Sequence, residues 1–199
     1  SDPLTGRRSR IDVVIDEAGR AGMHEFRGRR VIALDDMPLA VPAIRELGLF
    51  DEETPWRHLW KPGERVRAVA PSTGAPIIVI GQDSYAADGT RIDVDTVRWD
   101  VPVAGTLESY DVRPSGFWQT HVRGAQVLAN AVVAGAFGAD ESGVGRAVME
   151  LYSGAGLFSV PLARAVGETG RVVTLEGEEG AVRDAGENLA AFHWVDAFA

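Results

Sequence analysis

The sequence predicts an α/β chain in two parts: a mainly antiparallel β region of α+β type, then the first part of a doubly wound parallel sheet. Three observations carry this. Up to about residue 103, short apolar runs alternate with polar residues and are separated by glycine turns, as in an antiparallel meander. Beyond residue 109, helix-period stretches alternate with single apolar runs, as in βαβ units. The composition changes between the two, and the expected boundary separates residues 1–108 from residues 109–199.

In the first part, Ile11, Val13 and Ile15 share one face of a strand over 9–16, with Asp12 and Asp16 on the other. Glu17-Ala18-Gly19-Arg20 turns the chain into a second strand near 21–26, and Gly28 separates it from a third over 30–34. Residues 36–50 are expected to be helical. Asp36 can cap, Pro38 suits a first turn, and Leu39, Ile44, Leu47 and Leu49 make an apolar side. Residues 51–64 are irregular and hold Trp56, His58 and Trp60. Two tryptophans could stack on bases, but in a small domain the expectation is core. Strands are expected over 66–70 and 77–80, a loop over 84–91, and a strand over 91–99.

In the second part, Val122, Leu128, Val132, Val133 and Phe137 recur at helical spacing over 120–137. A loop over 138–145 carries Asp140 and Glu141. The apolar run Val148-Met149-Glu150-Leu151 then enters Tyr152-Ser153-Gly154-Ala155-Gly156, and a helix-compatible segment follows to Val166. A second apolar strand, Arg171-Val172-Val173-Thr174-Leu175, ends in Glu176. A last helix is expected over 178–192, with acids in its first turn where the helix dipole favours them. Two parallel strands are few for a doubly wound sheet. The reading therefore predicts an exposed apolar edge and self-association through it.

The bulk properties exclude several classes. None of the 199 residues is cysteine, which removes disulfides, zinc-thiolate sites, iron–sulfur clusters and a cysteine nucleophile. No metal site is read. No apolar run reaches membrane-span length and no signal peptide opens the chain, so the expectation is a cytoplasmic protein without a membrane partner. The formal net charge of −9 argues against strong nucleic-acid binding by the chain alone. Its least acidic stretch holds Arg7, Arg8, Arg10, Arg20, Arg27, Arg29 and Arg30, read as a solvated strand face.

Strand, glycine turn, helix, strand and acid open a nucleotide-binding βαβ unit. Ser159 stands where a dinucleotide turn wants its third glycine, and the Gly-Lys-Ser/Thr ending of a P-loop is absent. What remains is Glu150 four residues before Gly154, then Gly-x-Gly, with Glu176 at the next strand end. That arrangement suits S-adenosylmethionine (SAM). This ligand has no pyrophosphate, so a two-glycine turn can pass its amino-acid end while the acid takes the ribose hydroxyls.

Three stretches resemble the RNA 5-methyluridine methyltransferases, which methylate C5 of uridine in transfer or ribosomal RNA. Phe117-Trp118-Gln119 is similar to the family's Phe-x-Gln segment. Leu151-Tyr152-Ser153-Gly154-Ala155-Gly156-Leu157-Phe158 is similar to its Leu-Tyr-Cys-Gly-x-Gly-x-Phe turn. Glu176, with Ala185-Gly186-Glu187-Asn188-Leu189 downstream, is similar to its acid followed by an Ala-x-x-Asn helix. The region before Tyr110 resembles the family's central domain. The resemblance implies a Rossmann-like, SAM-dependent methyltransferase domain in which Gln119, Tyr152 and Glu176 contact SAM beside Gly154 and Gly156, with Asn188 a further candidate. It also implies tRNA or rRNA as partner of the full-length protein. Ser153 replaces the usual cysteine of the turn. Leu157 stands where some members have a cofactor-contacting Asn, and His121 where an Asn is common; His121 is read as a helix-start residue.

The family's chemistry uses a cysteine thiolate that adds to C6 of uracil and a general base that removes the C5 proton. In the family both follow an Asp-Pro-Pro strand end, and neither that motif nor a cysteine occurs in this sequence. The family's N-terminal RNA-binding barrel has no counterpart here. The reading is therefore an interior portion of such an enzyme, without catalytic residues of its own, inactive alone and binding RNA weakly or not at all. Two other readings stay open: a SAM-dependent methyltransferase with a different substrate, and a non-catalytic binding or assembly module on the same fold.

Overall fold

The computed structural model describes residues 5–138 and 142–199; Asp140 and Glu141 of the expected loop lie outside them. The chain forms two compact units. One is Ser1–Val94 with Thr120–Val122, the other Asp95–Gln119 with Arg123–Ala199. The expected boundary after residue 108 thus falls inside a strand of the second unit.

Among its described residues, the first unit is built on a seven-stranded antiparallel sheet. Its strands are β1 (Arg10–Ile15), β2 (Ala21–His24), β3 (Val31–Ala33), β4 (Arg65–Val69), β5 (Ile77–Ile80), β6 (Asp83–Ala86) and β7 (Arg91–Ile92), ordered β3-β2-β1-β4-β5-β6-β7. The alternation read in β1 is realised: Ile11, Val13 and Ile15 are buried with Val66, Ala68, Ile78 and Ile80. Both tryptophans are core. Trp56 is fully buried and donates from Nε1 to the Leu47 carbonyl (2.6 Å); Trp60 donates to that of Gly19 (3.2 Å).

Two expectations fail here. The helix over 36–50 contracts to α1 (Pro42–Arg45). Pro38 and Pro42 lack the N–H that a helix ladder needs, and Gly48 takes φ +66°. Ile44, Leu47 and Leu49 still reach the core, joined by Met37 and Ala40, whereas Leu39 is exposed. Asp36 bonds the Met37 N–H and pairs with Arg45 (2.6 Å) instead of capping a long helix. The loop expected over 84–91 instead holds the last three residues of β6, the whole β6–β7 turn and the first residue of β7. β6 follows from backbone pairing to β5 and the edge strand β7 from pairing to β6, which needs no apolar alternation. The strand over 91–99 is correspondingly split between β7 and a strand that starts at Val97.

The second unit opens with the hairpin β8 (Val97–Val103) and β9 (Thr106–Val112). Ala104 and Gly105 form its turn with φ of +49° and +82°, the left-handed pair that matches strand twist. Next comes α2 (Gly124–Phe137), then β10 (Ala147–Leu151), α3 (Ser159–Val166), β11 (Arg171–Leu175), α4 (Glu179–Leu189) and β12 (Val195–Phe198). β10, β11 and β12 make a parallel sheet in that order. The expected two parallel strands are therefore three, and β11 is paired on both sides. The second unit's core gathers Phe137, Leu162, Ala163, Val166 and Val172. The helix expected from residue 120 starts at Gly124. His121 is not a helix start: it bridges Arg8, and Val122 N–H bonds the Arg7 carbonyl (2.8 Å), within the first unit.

Candidate cofactor site

The site candidate lies at the C-terminal ends of β10 and β11, where open α/β sheets bind ligands. Leu151 and Leu175 are paired in register, so both strands end together. Ser153 N–H then bonds the Leu175 carbonyl (3.2 Å). Beyond that point the second strand supplies a side chain in place of backbone. The Glu176 carboxylate accepts the Gly154 N–H (2.8 Å) through one oxygen and the Glu178 N–H (2.9 Å) through the other. These backbone donors, Glu178 first and then Gly154, hold the carboxyl below its usual range. Each oxygen keeps a further lone pair, which an acceptor-only carboxylate can offer to a hydroxyl.

The turn is left-handed at three positions: Tyr152 at φ +60°, Gly154 at +57° and Gly156 at +87°. Glycine adopts this freely, whereas a tyrosine there is uncommon and marks a position worth a functional reading. Tyr152 is 89% exposed, so its ring stands out from the strand end. Gly156 N–H closes on the Ser153 carbonyl (3.0 Å), and its own carbonyl accepts the Val160 N–H (3.1 Å) as α3 begins.

Two buried atoms at this turn have no hydrogen-bond partner among the described residues: Glu150 Oε1 and Ser153 Oγ. Such orphans are rare and call for a partner. The other Glu150 oxygen accepts from the Ser159 hydroxyl (2.6 Å). Burial nevertheless pushes the Glu150 carboxyl up to about 7, because charge is disfavoured away from water. The glycine turn, the lone-pair capacity of Glu176 and these unpartnered polar atoms together fit a ligand with hydroxyl and amino-acid groups.

Gln119 is half-buried and lies on the segment before α2. Its neighbour Trp118 is buried against Trp99 (ring centres 5.6 Å apart) and Tyr110 (5.2 Å). Tyr110 is buried and donates its hydroxyl to the Leu157 carbonyl in the turn (3.0 Å). The Gln119 segment is therefore tied to the turn through aromatic packing. Alternating burial of Glu108, Tyr110 and Val112 marks the inward face of β9, but nothing local in the sequence points Tyr110 at Leu157.

Asn188 braces rather than faces open space. It accepts the Asp111 N–H (2.8 Å) and donates to the carbonyls of Asp111 (3.1 Å) and Ala155 (2.9 Å). Beside it, Asp184 is buried and pairs with Arg113 (3.2 Å), whose guanidinium also bonds Glu178 (2.9 Å). Glu178 in turn caps α4 through the N–H groups of Gly180 (3.0 Å) and Ala181 (2.7 Å). A Cβ at Gly180 would overlap the Arg113 guanidinium, so a larger residue there has to displace that side chain from its carboxylates.

An uncharacterized RNA methyltransferase of Bifidobacterium longum is 32% identical over 194 residues, 95% of this chain. The chain is a homologue of the RNA methyltransferases. A further such relative, from Streptomyces coelicolor, is 31% identical over 94% of the chain. The 23S rRNA (uracil(1939)-C(5))-methyltransferase RlmD of Acinetobacter baylyi is 54% identical over 54 residues, 26% of the chain and 12% of that relative. The chain spans 44% and 43% of the two longer-matching RNA methyltransferases. Among solved structures, the Pyrococcus abyssi tRNA (uracil-54, C5)-methyltransferase, in complex with S-adenosyl-L-homocysteine, shares the fold. Its TM-score is 0.61 at 20% identity, over the whole of this chain and 57% of that one. No protein-family model matches the chain.

Proposed function

We propose that this chain carries the cofactor-binding part of a SAM-dependent RNA methyltransferase acting on C5 of uridine in tRNA or rRNA. The observation that carries the reading is the closure of Glu176 on Gly154 across a left-handed turn. In it, Gly154 and Gly156 pass the ligand's amino-acid end, Glu176 accepts from the ribose hydroxyls, and Tyr152 and Gln119 flank the site. Bound there, SAM supplies an electrophilic methyl group. The residues of this chain bind and orient it; with no cysteine, the chain holds no thiolate for uracil C6 and turns over nothing alone by that route. The reading includes a cytoplasmic location, which a tRNA or rRNA substrate supports. Among the described residues, no helix is long and apolar enough to cross a membrane.

Calorimetric titration with SAM tests this site. Weak heat is expected from the wild-type chain and none from Glu176→Ala. No heat from either protein would remove the cofactor reading.

The same reading includes self-association. Met149, Leu151, Leu175 and Phe198 on the parallel sheet are exposed, and a second copy of the chain can cover them. Light scattering at rising concentration should show dimers or larger species; a monomer throughout the range would refute this.

A further inference from the structure

The β2–β3 hairpin carries a surface that cofactor binding does not use. Its tip, Glu25-Phe26-Arg27-Gly28, is closed by two bonds: Gly28 N–H to the Glu25 carbonyl (2.9 Å) and Glu25 N–H to the Arg30 carbonyl (2.9 Å). His24 Nδ1 lies 3.1 Å from the Arg29 carbonyl oxygen. The tip is therefore well tied, yet residues 23–30 are all exposed, and Phe26 is 85% exposed. Arg27, left-handed at φ +58°, holds its guanidinium 5.1 Å from the centre of the Phe26 ring. Glu25 pairs with Arg30 (3.2 Å). Arg27 and Arg29 have no carboxylate partner among the described residues.

An exposed aromatic ring with the Arg27 guanidinium over it, on a tip that also carries the exposed Arg29, runs against the chain's net charge of −9. Its chemistry suits a ligand with a free flat face and negative charges on either side. Single-stranded RNA offers both, since an unpaired base stacks on an aromatic ring and the flanking phosphates attract arginine. Duplex RNA keeps its base faces stacked inside. An anionic lipid surface calls for a larger cluster of basic residues.

We propose that this hairpin tip is a contact for single-stranded RNA, with Phe26 stacking on a base and Arg27 and Arg29 on adjacent phosphates. The proposal rests on the RNA reading above and names where the first unit meets that partner. Of the seven arginines read as a solvated strand face, Arg10 is buried, and the proposed contact uses Arg27 and Arg29.

The test is photo-cross-linking of a bromouridine-containing single-stranded RNA to the full chain, with adducts located by mass spectrometry. This detects contacts that are weak at equilibrium. An adduct on Phe26 is expected, and Phe26→Ala should abolish it. The double change Arg27→Gln and Arg29→Gln should cut the adduct yield about tenfold. It should also flatten the salt dependence of log binding by about 0.7 per lost phosphate contact. The proposal is overturned by adducts confined to other segments, by unchanged yield in the variants, or by equal competition from duplex RNA. Association with phosphatidylserine vesicles without an RNA adduct overturns it too. SAM calorimetry on the same proteins separates the two readings. Heat without an adduct defeats the contact alone, and an adduct without heat defeats the cofactor site alone.

Discussion

Replacing Arg113 with alanine should destabilise the second unit by about 3–5 kcal/mol, the usual cost of stripping one partner from a buried ion pair. Asp184, 3% exposed at its side chain, would keep a carboxylate with its cation gone. Burial already raises the Asp184 carboxyl, with Arg113 pulling it back down. Without the arginine that carboxyl rises further, so the mutant's deficit should shrink as acid protonates it. Urea denaturation followed by circular dichroism at neutral and acid pH measures both effects. Adding Asp184→Asn to the Arg113→Ala chain should recover part of the loss, because a neutral amide is cheaper to bury than an unpaired charge. A deficit below about 1 kcal/mol at neutral pH would show that the pair does not hold α4 to the end of β9.

Glu150→Gln should stabilise the protein above neutrality by at most ~3 kcal/mol, since each pKa unit is worth about 1.4 kcal/mol. The folded-state carboxyl is raised from 4.5 to about 7. A raised pKa favours the protonated form on folding, so its contribution is complete below pH 4.5 and is lost as pH rises through about 7. Glutamine keeps an acceptor for Ser159 and never ionises. Melting temperatures of the two proteins should coincide at pH 4 and separate at pH 8, with the variant higher. Parallel curves over that range would mean that Glu150 is solvated.

The features readable from the sequence were those set by neighbours along the chain. β11 was read to the residue because five apolar-rich residues between Gly170 and Glu176 have one simple local solution. The turn was readable because Gly154 and Gly156 need backbone freedom that other residues lack. β12 was missed because Val195-Asp196-Ala197-Phe198 has no strong pattern; its conformation is imposed by pairing with β11. The helix over 36–50 was over-read because its apolar spacing outweighed two prolines; outside α1 the segment buries Met37, Ala40, Leu47 and Leu49 without a helix. The supports of the candidate site lay furthest out of reach. Tyr110 and Leu157 are 47 residues apart, and Arg113 and Asp184 are 71. No local periodicity encodes such pairs.

The Glu176 carboxylate has a consequence for the turn itself. Where two parallel strands separate, the last link between them is a titratable side chain, a latch that acid can open. Its folded pKa is depressed, so its grip is whole above the unfolded value of 4.5 and is lost as pH falls through the lower folded value. Glu150, at the foot of the same turn, has the opposite sign. The turn is therefore bounded on both sides by its own acids. It is held most firmly in mildly acidic solution, and each flank loosens for a different reason.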